Sequence, residues 1–515
     1  MPDAVERFRK LTGRRGGKPL RKKKVRPPIP GRENALVGLI LLNVLWLCFA
    51  LGGVRLWGES TALLLSLGTL FLLPKWKTGE IEGSRSPVLR LLYSPLFLCG
   101  LALYVYFFIQ SWNLAWYWTV ENGRPQVISR QPLVDWLPTG ISSPLEESNP
   151  LRAMLFYTIP WITCSSAWVG LNTRRSVTRL LNGLALIGVA FALLALRQHF
   201  TGADRIFGLF PTVPSKLGRE IPFWGTLINE NHAAFFLILA TGSCLGLFLS
   251  GWHRDLRRFK RGGGIWLLYL GFAMVTTFSV LMAQARGAIG FVVLLWLFFI
   301  VLCSIFFIRR FGLAGFAFPG VFFLIAIFTG ISFVINPDVY ERQKEEWIRT
   351  FDLVENPELE ARYYMMLITS DLIAEKPWYG HGAGSWRYVH LQHLDTYPEF
   401  RTQRVKWLPN EFTGKKEKRT ITTWFENAHV DLLEYLVDWG IIGCLFPLIA
   451  ALWLLYRGIR AHRGWDLGLG MTLATVLVIF LGATVEFHLR IPLVMLVWSL
   501  LFTLTIKLAE LQDPS

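Results

Sequence analysis

The chain has 515 residues, of which 53% are hydrophobic and only 17% are charged. An average soluble chain carries about 25% charged residues, so this composition excludes an ordinary cytosolic enzyme. The formal net charge of +17 is compatible with nucleic-acid binding. A membrane protein, however, collects Lys and Arg in its cytoplasmic loops for topological reasons, and we therefore expect no nucleic-acid partner.

The N-terminal residues 1–33 are polar and basic, with five Lys or Arg residues among positions 21–26. A cleavable signal peptide has no such long hydrophilic leader, so the first apolar segment is predicted to remain as an uncleaved anchor. Residues 1–33 themselves are predicted to form a disordered cytoplasmic tail. All six cysteines fall inside apolar segments, which predicts no disulfide bond in a loop and no thiolate metal site.

Apolar segments long enough to cross a bilayer recur along the chain. They predict an all-α integral membrane protein with about twelve transmembrane helices, near residues 35–54, 59–74, 88–111, 151–171, 178–198, 227–250, 264–284, 287–308, 311–335, 431–456, 466–485 and 491–507. The loops that follow the even-numbered spans are rich in Lys and Arg. The positive-inside rule therefore places these loops and both termini in the cytoplasm.

This layout divides the chain into a basic tail (1–33), helices 1–9 (34–335), a large outer loop (336–430), helices 10–12 (431–507) and a second cytoplasmic tail (508–515). A loop of this length is usually functional or disordered rather than a simple linker. Residues 357–375 place apolar side chains at helical spacing, and Pro377 with three following glycines is predicted to end that helix. The large loop is therefore predicted to be folded and partly helical.

Charged side chains at the ends of membrane spans are costly unless they meet a partner or water, so they are candidates for function. Arg286 stands at the apex of a tight turn between spans seven and eight, and Gly287 and Ala288 leave room beside it for a bulky ligand. A guanidinium at such a place can bind phosphate with two hydrogen bonds. The alternative is an arginine whose side chain simply reaches the headgroup region.

Arg362 lies on the predicted loop helix and is followed by the glycine-rich stretch 376–384. Taken alone, Arg362 is equally well explained as a surface residue in a salt bridge. The glycine-rich stretch only weakly indicates phosphate binding, because no strand precedes it and no Walker lysine and hydroxyl follow.

His429 comes directly before span ten, and a histidine at that place can act as a base near neutral pH. Asp431 and Glu434 follow closely, and the sequence leaves open which of them orients the imidazole ring. An interfacial histidine with a satisfied hydrogen bond is the structural alternative.

The last outer turn carries three ionisable groups in five residues, Glu486, His488 and Arg490. A simple turn would need none of them, although an ion pair between Glu486 and Arg490 is an alternative reading. Asn231 and His232 at the start of span six form a similar, weaker group, for which helix capping by asparagine explains part of the pattern.

Metal binding is not predicted. His390 and His393 are three residues apart with Asp395 nearby, but no established metal-binding motif accompanies them. We expect no metal and no other cofactor.

At this point the chain resembles the O-antigen ligase and O-antigen polymerase superfamily of bacterial envelope glycosyltransferases. The resemblance depends on the order of several motifs over residues 220–445, each of them weak alone: 229–232 before span six, 285–288 at the hairpin, Arg362 with 376–384, and Ala428 and His429 leading to Glu434, Asp438 and Gly440. Two positions depart from the usual pattern, since Ala285 stands where serine is common and Val430 stands where asparagine is common.

The resemblance implies a GT-C-like fold and an inverting, metal-independent transferase that takes a glycan from undecaprenyl diphosphate to an acceptor hydroxyl. It implies that Arg286 and Arg362 hold the diphosphate and that His429 is the catalytic histidine. We further expect Arg490 to contribute to diphosphate binding, and His488, Glu486, Asn231 and His232 to complete the pocket. Arg286, Arg362 and His429 are predicted to converge on one cavity open to the outer leaflet.

The same resemblance implies a bacterial inner-membrane protein whose active site faces the periplasm and whose acceptor is a glycan, a lipid such as lipid A core, or a protein. A polymerase acting on two lipid-linked glycans remains an alternative to a ligase. A transporter or flippase is a weaker alternative, because its charges should lie near the bilayer midplane rather than at one face. A scaffold protein would not need Arg286, Arg362, His429 and Arg490 on one side.

Overall fold

A computed structural model describes residues 30–73, 86–121, 124–203, 205–207, 210–211, 223–257, 264–283, 285–312, 357–394, 396–397, 403–409, 416–422 and 425–512. The predicted ninth span near 311–335 and nearly all of the basic tail lie outside these described residues. Of the predicted outer loop, the part from 357 onwards is described with gaps.

Helices dominate the described part of the chain. They are α1 (Gly31–Phe49), α2 (Leu56–Phe71), α3 (Pro87–Leu92), α4 (Pro95–Trp112), α5 (Pro150–Gly170), α6 (Arg174–Thr201), α7 (Glu230–Arg257), α8 (Leu267–Met282), α9 (Arg286–Phe311), α10 (Pro357–Glu375), α11 (Trp386–Val389), α12 (Asp431–Arg460), α13 (Leu467–Gly482) and α14 (Pro492–Gln512). Among the described residues, seven helices are long and apolar enough to cross a membrane, namely α1, α4, α6, α7, α9, α12 and α14, and α2, α8 and α13 are shorter apolar helices. The chain is therefore a mostly helical, multi-pass membrane protein. The helix predicted over 357–375 is confirmed with the same bounds.

Strands occur in the loops, where the sequence pattern predicts none. In the loop after α4, β1 (Leu114–Glu121) pairs antiparallel with β2 (Arg124–Ser129) and parallel with β3 (Gly140–Ser142). Short antiparallel pairs are formed by β4 (Arg205–Ile206) with β5 (Phe210–Pro211), and by β6 (Gln403–Pro409) with β7 (Lys416–Thr422). The mostly helical structure is consistent with the expected all-α membrane protein, and the strands are confined to loops, where aromatic and β-branched residues favour them.

Two helices occupy the centre of the bundle. In the most apolar window of α7 and of α14, 83% of the residues are buried, whereas the corresponding share in α4 and α9 is 22%. α7 packs against α6, α8 and α13, and α14 packs against α5. The side chains that begin α7 and those that precede α14 are therefore held by a closely packed core.

The helical conformation of α12 is interrupted at Gly440, which adopts φ +62° and ψ −175°. We call this interruption the break in α12. Near this break, the carbonyl oxygens of Val437 and Asp438 accept hydrogen bonds from the amides of His381 (2.7 Å) and Gly382 (3.0 Å). Gly380 lies against the break so closely that an added Cβ would stand 2.6 Å from the amide nitrogen of Gly440.

The backbone amides that follow the break also form hydrogen bonds with the loop after α10. The amides of Ile441 and Ile442 donate to the carbonyl oxygens of Pro377 (2.8 Å) and Trp378 (3.1 Å). The hydroxyl of Tyr106 on α4 lies 2.7 Å from the carbonyl oxygen of Trp439. Since buried backbone groups must be paired, the glycine-rich stretch 376–384 completes α12, and its glycines permit this close approach.

Candidate functional site

A cavity of about 670 Å³ lies at one end of the helix bundle. This volume is in the range of sites that bind small molecules. His232, His429 and Arg490 are among the residues that line it. The remaining lining residues come from segments within 51–59, 146–157, 227–232, 383–387, 425–429, 438–439 and 487–492.

The helix directions bring most of the predicted site residues to this end. Trp224, just before α7, donates to Ser279 near the end of α8 (3.0 Å), and Thr241 pairs with Thr276 (2.8 Å), so α7 and α8 are antiparallel. The turn that follows α8 therefore lies beside the start of α7. α9 begins at Arg286 after this turn, and the predicted tight hairpin is confirmed. The side chain of Arg286 is outside the description, but an added Cβ at Gly287 would meet no atom within 4 Å.

His429 has an unusual backbone. Its φ is +57°, which is rare for a residue with a side chain and costs about 1–3 kcal/mol. The ring is partly exposed to the cavity, with 25% of the side chain accessible, and its Nδ1 lies 3.5 Å from Oε2 of Glu486. The ring of Phe487 lies edge-on, 4.7 Å away. Strained residues of this kind cluster at functional sites.

Glu486 is the acid beside His429. Its Oε1 accepts a hydrogen bond from Nδ2 of Asn231 (3.2 Å) and lies 3.4 Å from Nη2 of Arg362. Burial alone would raise the pKa of Glu486, but the contact with His429 and the charge of Arg362 outweigh this effect, so its pKa lies below the usual value. The sequence leaves only Asp431 and Glu434 as candidates to orient His429, whereas in the structure Glu486 is the acid beside its ring.

Arg490 is surrounded by carboxylates. Its Nη2 lies 2.8 Å from Oδ2 of Asp438, its Nη1 3.2 Å from Oε1 of Glu434, and its Nε 3.7 Å from Oδ1 of Asp431. The guanidinium also lies 5.1 Å from the centre of the Tyr435 ring. We call Arg490 with these three acids the carboxylate cluster. The alternative ion pair with Glu486 does not form, and a guanidinium held in this way has little capacity left for a diphosphate.

The carboxylate cluster also binds the backbone around the site. Oε2 of Glu434 accepts from the amide of Ala428 (2.8 Å), directly before His429. Oδ2 of Asp431 accepts from the amide of Leu489 (2.8 Å), and Oδ1 of Asp438 accepts from the amide of Trp386 (3.1 Å). The cluster thus connects the segment that carries His429 to the turn before α14 and to the loop after α10.

His488 does not face the cavity, contrary to the prediction. Its ring is fully buried and stacks on Phe235 with centroids 3.7 Å apart, and its Nε2 lies 3.0 Å from the carbonyl oxygen of Ile479. Burial lowers the pKa of His488 to about 3. His232, in contrast, lines the cavity, with the ring of Phe487 at 4.7 Å. Phe487 therefore separates His232 from His429.

Arg362 is not among the residues that line the cavity, but it contacts Glu486, which lies beside His429. Its Nη1 donates to the carbonyl oxygen of Val485 (3.3 Å), and 39% of its side chain is exposed. His390 is buried and His393 pairs with Glu375 (3.1 Å). Within the described ranges, no group of three or more His, Cys, Asp or Glu side chains is arranged to hold a metal ion.

The fold and the cavity define a class: a multi-pass helical membrane protein with a site rich in arginine and histidine at one end of its bundle. Residues 270–448 match the model of a family described as O-antigen ligase. The resemblance to the O-antigen ligase and polymerase superfamily is thereby confirmed over α8 to the first half of α12, and this family has ligase-like or polymerase-like glycosyltransferase activity. No curated protein matches the chain. The cavity walls formed by residues 51–59, 146–157, 227–232 and 487–492 lie outside the matched stretch.

Proposed function

We propose that the protein transfers a glycan from undecaprenyl diphosphate to an acceptor hydroxyl, as an O-antigen ligase does. The observation that supports this proposal best is the arrangement of His429, which is held in a strained conformation, faces a cavity and contacts a buried carboxylate. The family match over residues 270–448 supports the same class of reaction.

In the proposed reaction, the acceptor oxygen attacks the anomeric carbon of the donor glycan while the bond from that carbon to the diphosphate oxygen breaks. His429 takes the proton of the acceptor hydroxyl on Nε2, and the electron pair of the broken bond stays on the diphosphate. Attack from the side opposite to the leaving group inverts the configuration. General-base assistance of this kind is typically worth 10²- to 10⁴-fold in rate.

Glu486 is proposed as a positioning residue. Its contact with Nδ1 of His429 leaves Nε2 as the nitrogen that receives the proton. Arg362 and Arg286 are proposed to stabilise the negative charge that develops on the diphosphate, which fixed guanidinium groups can do without a metal ion. Arg490 is assigned to positioning instead, because its nitrogens are already engaged by the carboxylate cluster.

We place the protein in the bacterial inner membrane, with both termini in the cytoplasm and the cavity facing the periplasm. The basic loops after the even-numbered spans support this orientation. A polymerase that joins two lipid-linked glycans would use the same residues and differs only in its acceptor. A transporter is disfavoured because the described site residues gather at one end of the bundle rather than halfway along it.

The test is glycan transfer by the full chain reconstituted in liposomes with undecaprenyl-diphosphate oligosaccharide, in buffer containing EDTA. Either lipid A core or additional lipid-linked glycan is offered as acceptor. His429→Gln is expected to lower the rate by about 10²- to 10⁴-fold. His462→Gln, at an exposed position at the other end of α12, is the matched control and should keep full activity.

The productive acceptor separates ligase from polymerase. Equal rates for the wild type and His429→Gln would remove His429 as the base. Absence of transfer by the wild type to every acceptor would contradict the proposed function, and a rate that EDTA abolishes would contradict a metal-independent mechanism.

A further inference from the structure

Four arginines line the cavity in the described part of the chain, and three of them are already paired. Arg490 lies in the carboxylate cluster. Nε of Arg152 lies 3.1 Å from Oε2 of Glu59, and Arg387 lies 2.5 Å from Glu147 and 3.2 Å from Glu426. The charge of each of these side chains is balanced by a neighbouring acid.

Arg55 is the exception. It lines the cavity between the first two helices, its side chain is exposed, and it forms no ion pair or side-chain hydrogen bond with the residues that the structure describes. A cation on a cavity wall without an internal acid is available to an anionic group of a ligand.

The wall beside Arg55 is apolar. Its lining side chains come from three separate segments of the chain: Leu51, Val54, Leu56, Leu227, Ile228, Ile491 and Pro492. Val54 and the neighbouring Trp57 are 41% and 45% exposed, so this wall continues onto the outer surface of the helices. Another part of the cavity is lined by polar residues, namely Glu146, Glu147, Asn149, Arg387, Glu426 and Asn427.

The apolar wall is held in place by tight packing of the turn between α1 and α2. Leu51, Gly52 and Gly53 all have positive φ, at +57°, +79° and +82°. A Cβ at Gly52 would lie 3.2 Å from both Ile491 and Leu227, and one at Gly53 would lie 2.9 Å from Pro492. Arg152 also donates to the carbonyl oxygen of Val54. The turn therefore has little freedom to move away from the cavity.

We infer that this wall binds the junction between lipid and diphosphate of a polyprenyl diphosphate donor, with Arg55 on the phosphate and the apolar side chains along the first isoprenoid units. The inference rests on the proposed function. An apolar surface that leads out to the membrane-facing side, beside an arginine that pairs with no acid among the described residues, matches an anionic headgroup joined to a long hydrocarbon. The polar, internally paired part of the lining is left for the sugars of donor and acceptor.

The test measures binding of undecaprenyl diphosphate, without glycan, to the full chain in detergent. Arg55→Gln is expected to raise its Kd by about tenfold, the loss of one hydrogen bond to a charged group. Arg463→Gln is the matched control, since Arg463 is exposed at the opposite end of the bundle. Val54→Ser should raise the Kd for undecaprenyl diphosphate but leave that for inorganic diphosphate unchanged.

Unaltered binding by Arg55→Gln would overturn the inference. Equally strong competition by phosphatidylglycerol for the undecaprenyl diphosphate site would also overturn it, because it would indicate a general headgroup site. The same holds if Arg55→Gln raises only the KM for the acceptor. If the wild type binds the lipid through Arg55 but transfers no glycan, the proposed function fails and the binding site stands. If transfer proceeds and neither the Kd nor the donor KM depends on Arg55, the inference alone fails.

Discussion

Two sets of charged residues lie side by side at the cavity, namely Glu486 with its partners and the carboxylate cluster. They differ in how completely their hydrogen-bonding capacity is used. Around Glu486, the contacts to Asn231, Arg362 and His429 are 3.2–3.5 Å long, and all three partners are partly exposed. In the carboxylate cluster, Arg490 meets three buried acids, the nearest at 2.8 Å, and those acids also bind backbone amides.

This difference indicates two roles. A group whose bonding capacity is filled stabilises one geometry, because any movement would leave a buried charge without a partner. A loosely held histidine and carboxylate can instead exchange contacts with a substrate. We therefore propose that the carboxylate cluster fixes the geometry of the site, and that His429, oriented by Glu486, takes part in the reaction. The first two predictions below test that distinction, and the third concerns the buried His488 in the turn between Glu486 and Arg490.

The largest expected effect is on stability. Arg490→Met should lower the free energy of unfolding by about 3–5 kcal/mol, because three buried carboxylates lose their cation. Arg362→Met, at a side chain that is 39% exposed, should cost only about 0–1 kcal/mol. Thermal unfolding in detergent measures both variants, and Arg490→Lys, which retains the charge, should fall between them. Similar losses for Arg490→Met and Arg362→Met would remove the distinction between the two groups.

Glu486→Gln should affect the rate more than stability. Loss of an acid that orients a catalytic histidine costs up to about 10⁴-fold where the contact is short, and at the 3.5 Å observed here we expect a drop in kcat of about a hundredfold. The donor KM should change little, because Glu486 is assigned to positioning. Glu486→Asp should restore part of the rate. A variant that raises KM and leaves kcat unchanged would instead make Glu486 a substrate ligand.

The smallest effect concerns pH. The pKa of His488 falls from its ordinary 6.5 to about 3 on burial, so below pH 6.5 the unfolded chain gains a proton that the folded chain does not. His488 therefore makes the free energy of unfolding decrease as the pH falls from 6.5 toward 3, by at most about 1.4 kcal/mol per unit, and makes no such contribution above 6.5. Unfolding of His488→Phe, measured between pH 7 and pH 4.5, should show a shallower decline than the wild type. Parallel curves would exclude this contribution.

The sequence predicts features whose cause is local. The helix at Pro357–Glu375 follows from apolar spacing and from the proline and glycines after it, and the hairpin before Arg286 follows from the short interval between two apolar segments. Burial of His488 could not be predicted in this way, because its partner Phe235 is 253 residues away in the chain.

The same limit applies to the site. Asp431, Glu434, Asp438 and Arg490 are all visible as charges near span ends, but only their distances show that they neutralise one another. Nothing in the sequence singles out Arg55, since a single arginine between two apolar segments has a sufficient explanation in membrane topology. What distinguishes Arg55 is that no acid among the described residues forms an ion pair with it, which is a three-dimensional property.

The break in α12 also determines which parts of this chain can be exchanged with those of a relative. Backbone hydrogen bonds on both sides of Gly440 pair residues 377–382 with residues 437–442, so neither segment has a complete set of backbone partners without the other. A chimera that imports only the loop would place foreign side chains against Gly440, where the two backbones approach within van der Waals contact. A chimera that takes both 376–390 and 431–442 from one parent preserves these hydrogen bonds. We therefore expect functional chimeras to exchange the two segments as one unit.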